Sequence, residues 1–236
     1  MLDPRTGNFP TNKSDLEALV AANADALELA RAGMQKKCRV HLDDNPLKRH
    51  DVKILERGFE AEGQLAELQG HPNEAAGSFL DIVHLANESS RGGVLIDALI
   101  EMIIEREGTD ALQKLLPQLD AQTCRQAAAT LETLDAQRQT WEDIEEQESE
   151  WSHHTFPGLK DELVRLANYK AFNKAERDFE RKFQDQQIRT QRLIIDLAAR
   201  AYSLDNGHAP ASVAALVPNY LKAIPQDPLT GTNMVY

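Results

Sequence analysis

Apolar positions recur three and four residues apart along most of the chain, the period of helices that bury one face. Leu16, Leu19, Val20, Asn23, Leu27 and Ala30 predict a first helix, opened by a capping box at Ser14-Asp15-Leu16-Glu17 and closed at Gly33. Cys38 to Pro46 reads as an extended connection and turn. A second helix is predicted over Leu47 to Gln69, stopped by Gly70-His71-Pro72. Pro72 suits the first turn of a third, which runs through Phe79, Leu80, Val83 and Leu85 to about Glu88.

The stretch from Leu55 to Leu85 thus predicts an αα-hairpin, with Ala61, Ala66, Ala75 and Ala76 small enough for close helix contact. Its phrase Ala66-Glu67-Leu68-Gln69-Gly70-His71-Pro72-Asn73-Glu74-Ala75-Ala76 is similar to a single tetratricopeptide unit. No second copy follows at the ~34-residue period of such arrays.

Ser89 to Gly93 breaks the chain before the most apolar helix, Val94 to Glu105, which is expected to form the centre of the core. Gly108-Thr109-Asp110 is expected to end it and to cap a further helix, interrupted by Pro117. Asp120 caps the next, Ala121 to about Arg138, and Thr140 begins another. Phe156-Pro157-Gly158 is the clearest internal break. Beyond it a long helical stripe runs through Phe172, Ala175, Phe179, Phe183, Ile188, Ile195, Leu197, Ala198 and Tyr202, halted by Asp205-Asn206-Gly207. The predicted division is a flexible leader over 1–13, a helical domain over 14–156, and a long helix with a tail over 157–236.

Composition sharpens this picture. Aromatics make up 6% of the 236 residues while Ala, Leu, Glu and Gln abound, which favours helices joined by small and aliphatic side chains. A net charge of −12 argues against a nucleic-acid partner, since phosphate binding needs clustered Lys and Arg. The longest apolar run, Val94 to Ile104, contains Asp97 and Glu101 and is far short of the ~20 residues a membrane span needs. Cys38 and Cys124 have no metal-site spacing. They are either two buried free thiols or one disulfide, which requires an oxidising compartment.

Candidate chemistry is sparse. The chain has no phosphate loop, nucleophile elbow or zincin helix, and no cofactor, metal ligand or catalytic residue is assigned. His153 and His154 are adjacent, so on a helix their rings diverge. Asp81 and His84 share a helix face and read as a surface pair before an acid–base pair. The six carboxylates between Trp141 and Glu150 read as a solvated face, because no oxygen-ligand loop with a turn glycine accompanies them. Arg39 and Arg125 each follow a cysteine, in reach of an anion or of Asp43 or Asp97 if the cysteines meet.

The tail is the most specific stretch. Leu204-Asp205-Asn206-Gly207-His208-Ala209-Pro210, Leu216-Val217-Pro218-Asn219-Tyr220-Leu221 and Ile224-Pro225-Gln226-Asp227-Pro228-Leu229-Thr230-Gly231 resemble the periplasmic end of type II secretion pseudopilins. The resemblance covers about a fifth of the chain, from roughly Gln191 onward, and lacks the loop aromatic, where Ala209 stands. It implies a small αβ hook in which Asp205, Asn206, Gly207 and Pro210 shape the loop. Asp227, Pro228 and Gly231 then turn the chain into strands starting at Asn233.

The chain as a whole also looks like a group of bacterial envelope proteins that join a helical domain to such a tail behind an N-terminal membrane anchor. The phrases that carry this are Cys38-Arg39-Val40, Ala61 to Gly70 and Arg91 to Asp97. It implies an anchor upstream of residue 1.

The expected architecture is mainly α, a multi-helix domain of αα-hairpins followed by the long helix and hook. The leading expectation is a non-enzymatic envelope scaffold or interaction module with a protein partner, which predicts a Cys38–Cys124 disulfide. An enzyme or small-molecule binder would instead gather His84, Asp97 and Arg125 in a pocket between body and tail. A cytosolic tetratricopeptide-like adaptor would keep both thiols reduced.

Overall fold

A computed structural model describes residues 12–40, 50–155, 158 and 169–236, and among them the chain forms seven α-helices. Residues 1–11 of the predicted leader lie outside this set, as do residues 41–46 of the predicted connection, residues 47–49 at the start of the predicted second helix, and Phe156-Pro157 of the predicted break. Helix α1 spans Lys13–Met34. Its cap is Asn12 rather than the Ser14 box: Asn12 Oδ1 accepts from the Asp15 amide at 2.9 Å while Asn12 Nδ2 donates to Asp15 Oδ2 at 2.7 Å. Asn caps as well as Ser does, and the cap at Asn12 starts the helix two residues earlier.

Helices α2 (His50–Leu68) and α3 (Pro72–Ser90) form the predicted hairpin. Its turn is closed by His71 N–H to Ala66 O at 2.9 Å and Gly70 N–H to Glu67 O at 3.0 Å, with Gly70 at φ 78°. This paired C-cap needs a residue tolerant of positive φ.

Helix α4 spans Leu95–Leu115, followed by a 3-10 turn at Leu116–Gln118 that contains Pro117. Gly108 does not end α4. A Cβ there would lie 2.9 Å from the Phe79 carbonyl oxygen and from Val83 Cγ2, so the glycine is a close-contact point with α3. On the other side of α3, a Cβ at Gly63 of α2 would lie 2.5 Å from the Phe79 ring. Phe79 is thus seated between two glycines.

Helix α3 therefore occupies the centre that α4 was expected to take. It packs against α1, α2, α4 and α5, and buries Ala75, Ala76, Phe79, Ile82, Val83 and Ala86. Helix α4 leaves Ile96 and Ile103 45% and 47% exposed. Overall apolarity misled here, because burial follows position between neighbours rather than apolar content.

Helices α5 (Ala121–Ala136), α6 (Trp141–Thr155) and α7 (Tyr169–Asn206) complete the body. Asp120 caps α5 as predicted, accepting from Thr123 N at 2.7 Å. Thr140 and Asp143 form a reciprocal box before α6, at 3.0 and 3.1 Å. Cys124, Ala127, Ala128 and Leu131 of α5 meet Leu193, Ile194, Leu197 and Ala198 of α7 in the same cluster as the α3 core. Trp141 and Ile144 pack with Met102 and Phe183 in a second cluster. The side chains of Phe172 and Ala175 lie outside the described set.

The tail departs from the αβ hook. Among the described residues there is no strand, only one isolated antiparallel bridge, Gln226 with Asn233. Asp227 makes the reversal, its Oδ1 accepting from Leu229 N at 2.7 Å and Thr230 N at 3.3 Å, with Gly231 at φ 67°. Pro225 and Pro228 have no N–H to donate, so the ladder stops after Asp227 N–H to Thr232 O and Met234 N–H to Pro225 O, both 2.9 Å. Before it the chain makes a 3-10 turn, Val213–Leu216, which Ser212 precedes without a side-chain cap.

Candidate functional site

Two arrangements gather polar side chains, one closed and one open. The closed one is built on α4, whose Asp97, Glu101 and Glu105 recur every fourth residue on one buried face. Asp97 accepts from Val94 N at 2.9 Å and caps the helix. Glu105 takes Arg138, with NH1 at 2.8 Å from Oε2 and NH2 on Oε1, and also receives Thr190 Oγ1 of α7 at 2.6 Å. Arg138 reaches Asp135 through Nε at 3.4 Å, and Asp135 also accepts Gln191 Nε2 at 3.2 Å. Glu101 accepts Ser90 Oγ at 2.6 Å and lies 3.5 Å from Arg138 NH1. The cluster ties together the ends of α3 and α5 and the middles of α4 and α7.

Its electrostatics follow from burial. Removal from water pushes the Glu101 carboxyl up to about 7, against the pull of Arg138. Burial also raises Asp135, again opposed by Arg138. For Arg138 itself burial disfavours the charge, but Glu105, Glu101 and Asp135 outweigh it and the group is held cationic. The space between these side chains does not admit a water molecule. Every partner in the cluster is supplied by the chain itself, and the cluster joins four helices.

The open arrangement lies where the tail crosses the body. Gly207, at φ 76°, ends α7 with its N–H on Ser203 O at 2.9 Å. Just before it, Asp205 pairs with Arg125 of α5 and accepts Tyr220 Oη at 2.9 Å, while Asn206 Nδ2 reaches the same hydroxyl at 3.2 Å. The Tyr202 and Tyr220 rings lie 5.4 Å apart, and Leu216, Leu221 and Met234 are buried against the body. Lys222 N–H then donates to Glu132 Oε1 at 2.9 Å. These contacts hold the following segment above α5 and α7, leaving a groove of about 630 Å³ lined in part by Asp135, Gln191, Ile194, Ile224 and Pro228. Of the tail residues singled out in the sequence, Asp205, Asn206 and Gly207 lock the segment down. Asp227, Pro228 and Gly231 line the groove, and Pro210 is half-buried in the connecting loop.

The other candidates are dispersed. His84 is on α3, Asp97 caps α4 and Arg125 holds the tail, so these three build no common pocket. Asp81 binds Arg31 at 2.6 Å rather than His84, and Glu62 pairs with the same guanidinium and with Ser78 Oγ at 2.8 Å. Five carboxylates of the acidic run face solvent, and the sixth, Glu148, accepts from Leu95 N at 3.0 Å. His153 and His154 are exposed. Among the described residues no three of His, Cys, Asp and Glu are grouped as metal ligands would be. No described helix is long and apolar enough to cross a membrane.

Cys38 and Cys124 are free thiols. Cys38 N–H bonds Glu88 near the end of α3, whereas Cys124 follows Asp120, which bonds Asn73 at the start of α3. Asn73 and Glu88 are separated by about 22 Å of helix. A disulfide needs Cα atoms within roughly 7 Å, so the pairing is not made in this fold.

No protein-family model, curated protein sequence or solved structure matches the chain.

Proposed function

We propose that the chain is a non-catalytic scaffold or protein-interaction module of the cell envelope. The observation that carries this reading is the division of its polar groups. The densest charge cluster, around Arg138, is sealed and turned wholly to internal pairing, while the open concavity lies where the tail is pinned across α5 and α7. A sealed cluster serves rigidity, and a groove on a rigid body serves recognition. The envelope setting rests on the pseudopilin-like phrases of the tail. Their Asp205, Tyr220 and Asp227 anchor and turn that segment here.

The test places a photoreactive residue at Lys222, beside the groove, or at Leu29 on α1, which is 73% exposed, in the chain expressed in its own cells. A discrete adduct with another protein is expected from position 222 only, on a chain that external protease reaches once the outer barrier is opened. The same adducts from both positions, or a chain that protease cannot reach, would overturn the reading.

A further inference from the structure

Asn206 is the only Asn in the sequence that is followed by Gly. The peptide nitrogen after an Asn can attack the side-chain amide carbon, and a glycine nitrogen, with no side chain to crowd it, does so most readily. In that step Gly207 N loses its proton and bonds to Asn206 Cγ, while the Cγ–Nδ2 bond breaks and ammonia leaves. Water then opens the succinimide ring at either carbonyl and leaves aspartate or isoaspartate at 206. The balance is one water taken up and one ammonia released.

The fold opposes this step at both reacting groups. Gly207 N–H donates to Ser203 O at 2.9 Å, and Asn206 Nδ2 is folded back along α7 onto Tyr202 O at 2.9 Å. Nδ2 also donates to Tyr220 Oη at 3.2 Å, and the hydroxyl proton of Tyr220 goes to Asp205 at 2.9 Å. Two of these restraints belong to α7 itself, and the third is supplied by the tail. Asn206 and Gly207 are both exposed, and a Cβ on Gly207 would meet nothing within 4 Å. Hydrogen bonds, not burial, hold the reaction back.

The product cannot keep these contacts. A carboxylate at 206 has no proton to donate, yet it would face the Tyr202 carbonyl oxygen. The Tyr220 proton can serve Asp205 or the new carboxylate, not both. The added negative charge also stands beside Asp205 at the C-terminal end of α7, where the helix dipole disfavours it.

We propose that Asn206 is a deamidation site held latent by its contacts with α7 and Tyr220, and that its conversion to an acid loosens the tail around Tyr220. The change is one-way, because the ammonia is lost. The segment that follows Tyr220 supplies Lys222, Ile224 and Pro228 to the groove, so conversion disturbs that wall whatever the groove receives. The inference stands on the contacts of Asn206 and is independent of the interaction-module reading.

The full chain is incubated in mildly alkaline buffer, native and unfolded in guanidinium chloride, and position 206 is read by peptide mass with chromatographic separation of isoaspartate. In the unfolded chain Asn206 converts before any other Asn. In the native chain it converts more slowly by about tenfold or more, as expected of the hydrogen bonds that must first break. Tyr220→Phe keeps the ring, removes the tail's acceptor and speeds native conversion about fivefold. Asn206→Asp, which carries the product in place, raises amide exchange at Tyr220, Leu221 and Lys222 and leaves that of α5 unchanged. No conversion at 206 in the unfolded chain, equal native and unfolded rates, or a Tyr220→Phe rate equal to that of the wild type would overturn the latent site. Unchanged exchange in Asn206→Asp would overturn the loosening of the tail.

Discussion

Arg138 and Glu105 meet through two parallel hydrogen bonds with side chains 5% and 2% exposed. That fork commits the guanidinium to Glu105, and its Nε turns to Asp135. Glu101, 3.5 Å from NH1, is then the third carboxylate around one cation, and it is the one that keeps a proton near neutrality.

A pH dependence follows. The folded pKa of Glu101 is about 7, above the ordinary carboxyl value of 4.5, so the folded state binds a proton that the unfolded chain releases. The stabilisation is complete below the ordinary value and is lost as pH rises through the folded one. Urea midpoints of the wild type should therefore fall relative to those of Glu101→Gln between about pH 5 and pH 7. Parallel curves would show that Glu101 holds no proton in the fold.

Two glycine replacements should act in opposite directions. Gly77 of α3 is exposed and a Cβ there meets nothing within 4 Å, so Gly77→Ala should stabilise by about 0.5–1 kcal/mol through helix propensity. Gly108→Ala drives a methyl against the α3 backbone and should destabilise by about 1–3 kcal/mol. Thermal unfolding of the two variants measures the difference. A stabilised Gly108→Ala would mean that α3 and α4 are not in close contact.

The cysteines should differ in reactivity. Cys38 is partly exposed, while Cys124 is buried, with its thiol pushed up to about 11 by desolvation. Alkylation of the native protein should add one label at Cys38, and the second only on unfolding, without reductant. Intact mass reads this directly. No label before reduction would establish a disulfide and contradict the placement of the two residues at opposite ends of α3.

The tail lock is testable by exchange. Asp205→Ala removes the acceptor shared by Arg125 and Tyr220. The pair is partly exposed, so global stability should fall by no more than about 1 kcal/mol. Amide hydrogen exchange at Tyr220, Leu221 and Lys222 should nevertheless rise well above that of α5. Unchanged exchange there would place the anchorage in the apolar contacts of Leu216 and Leu221 instead.

Local chemistry was legible in the sequence at several helix ends where one residue sets it, though not at Ser14 or Gly33 of α1. Pro72, Asp120, the Thr140–Asp143 box, Gly70 and Gly207 all start or stop helices as their side chains and φ preferences require. Gly108 was misread because a glycine that ends a helix and one that admits a neighbour look alike without the neighbour. Strands expected after Asp227 were limited by Pro225 and Pro228, a signal present in the sequence but outweighed by the tail phrases. The Arg138 cluster had a readable trace: acids at 97, 101 and 105 mark one face of an otherwise apolar helix and call for a cation. Which cation could not be read, since Arg138 arrives from beyond the end of α5.

The most direct test of the claim that the interior charge serves the fold is a double-mutant cycle on Arg138→Met and Glu105→Leu. Arg138→Met strands the Glu105 carboxylate and should cost about 3–5 kcal/mol, while Glu105→Leu leaves the guanidinium with Glu101 and Asp135 and should cost less. The double variant should be more stable than the sum of the two costs implies, with a coupling of about 2 kcal/mol or more. Additive losses would show that the guanidinium and the carboxylate do not stabilise one another, and would contradict the account at its centre.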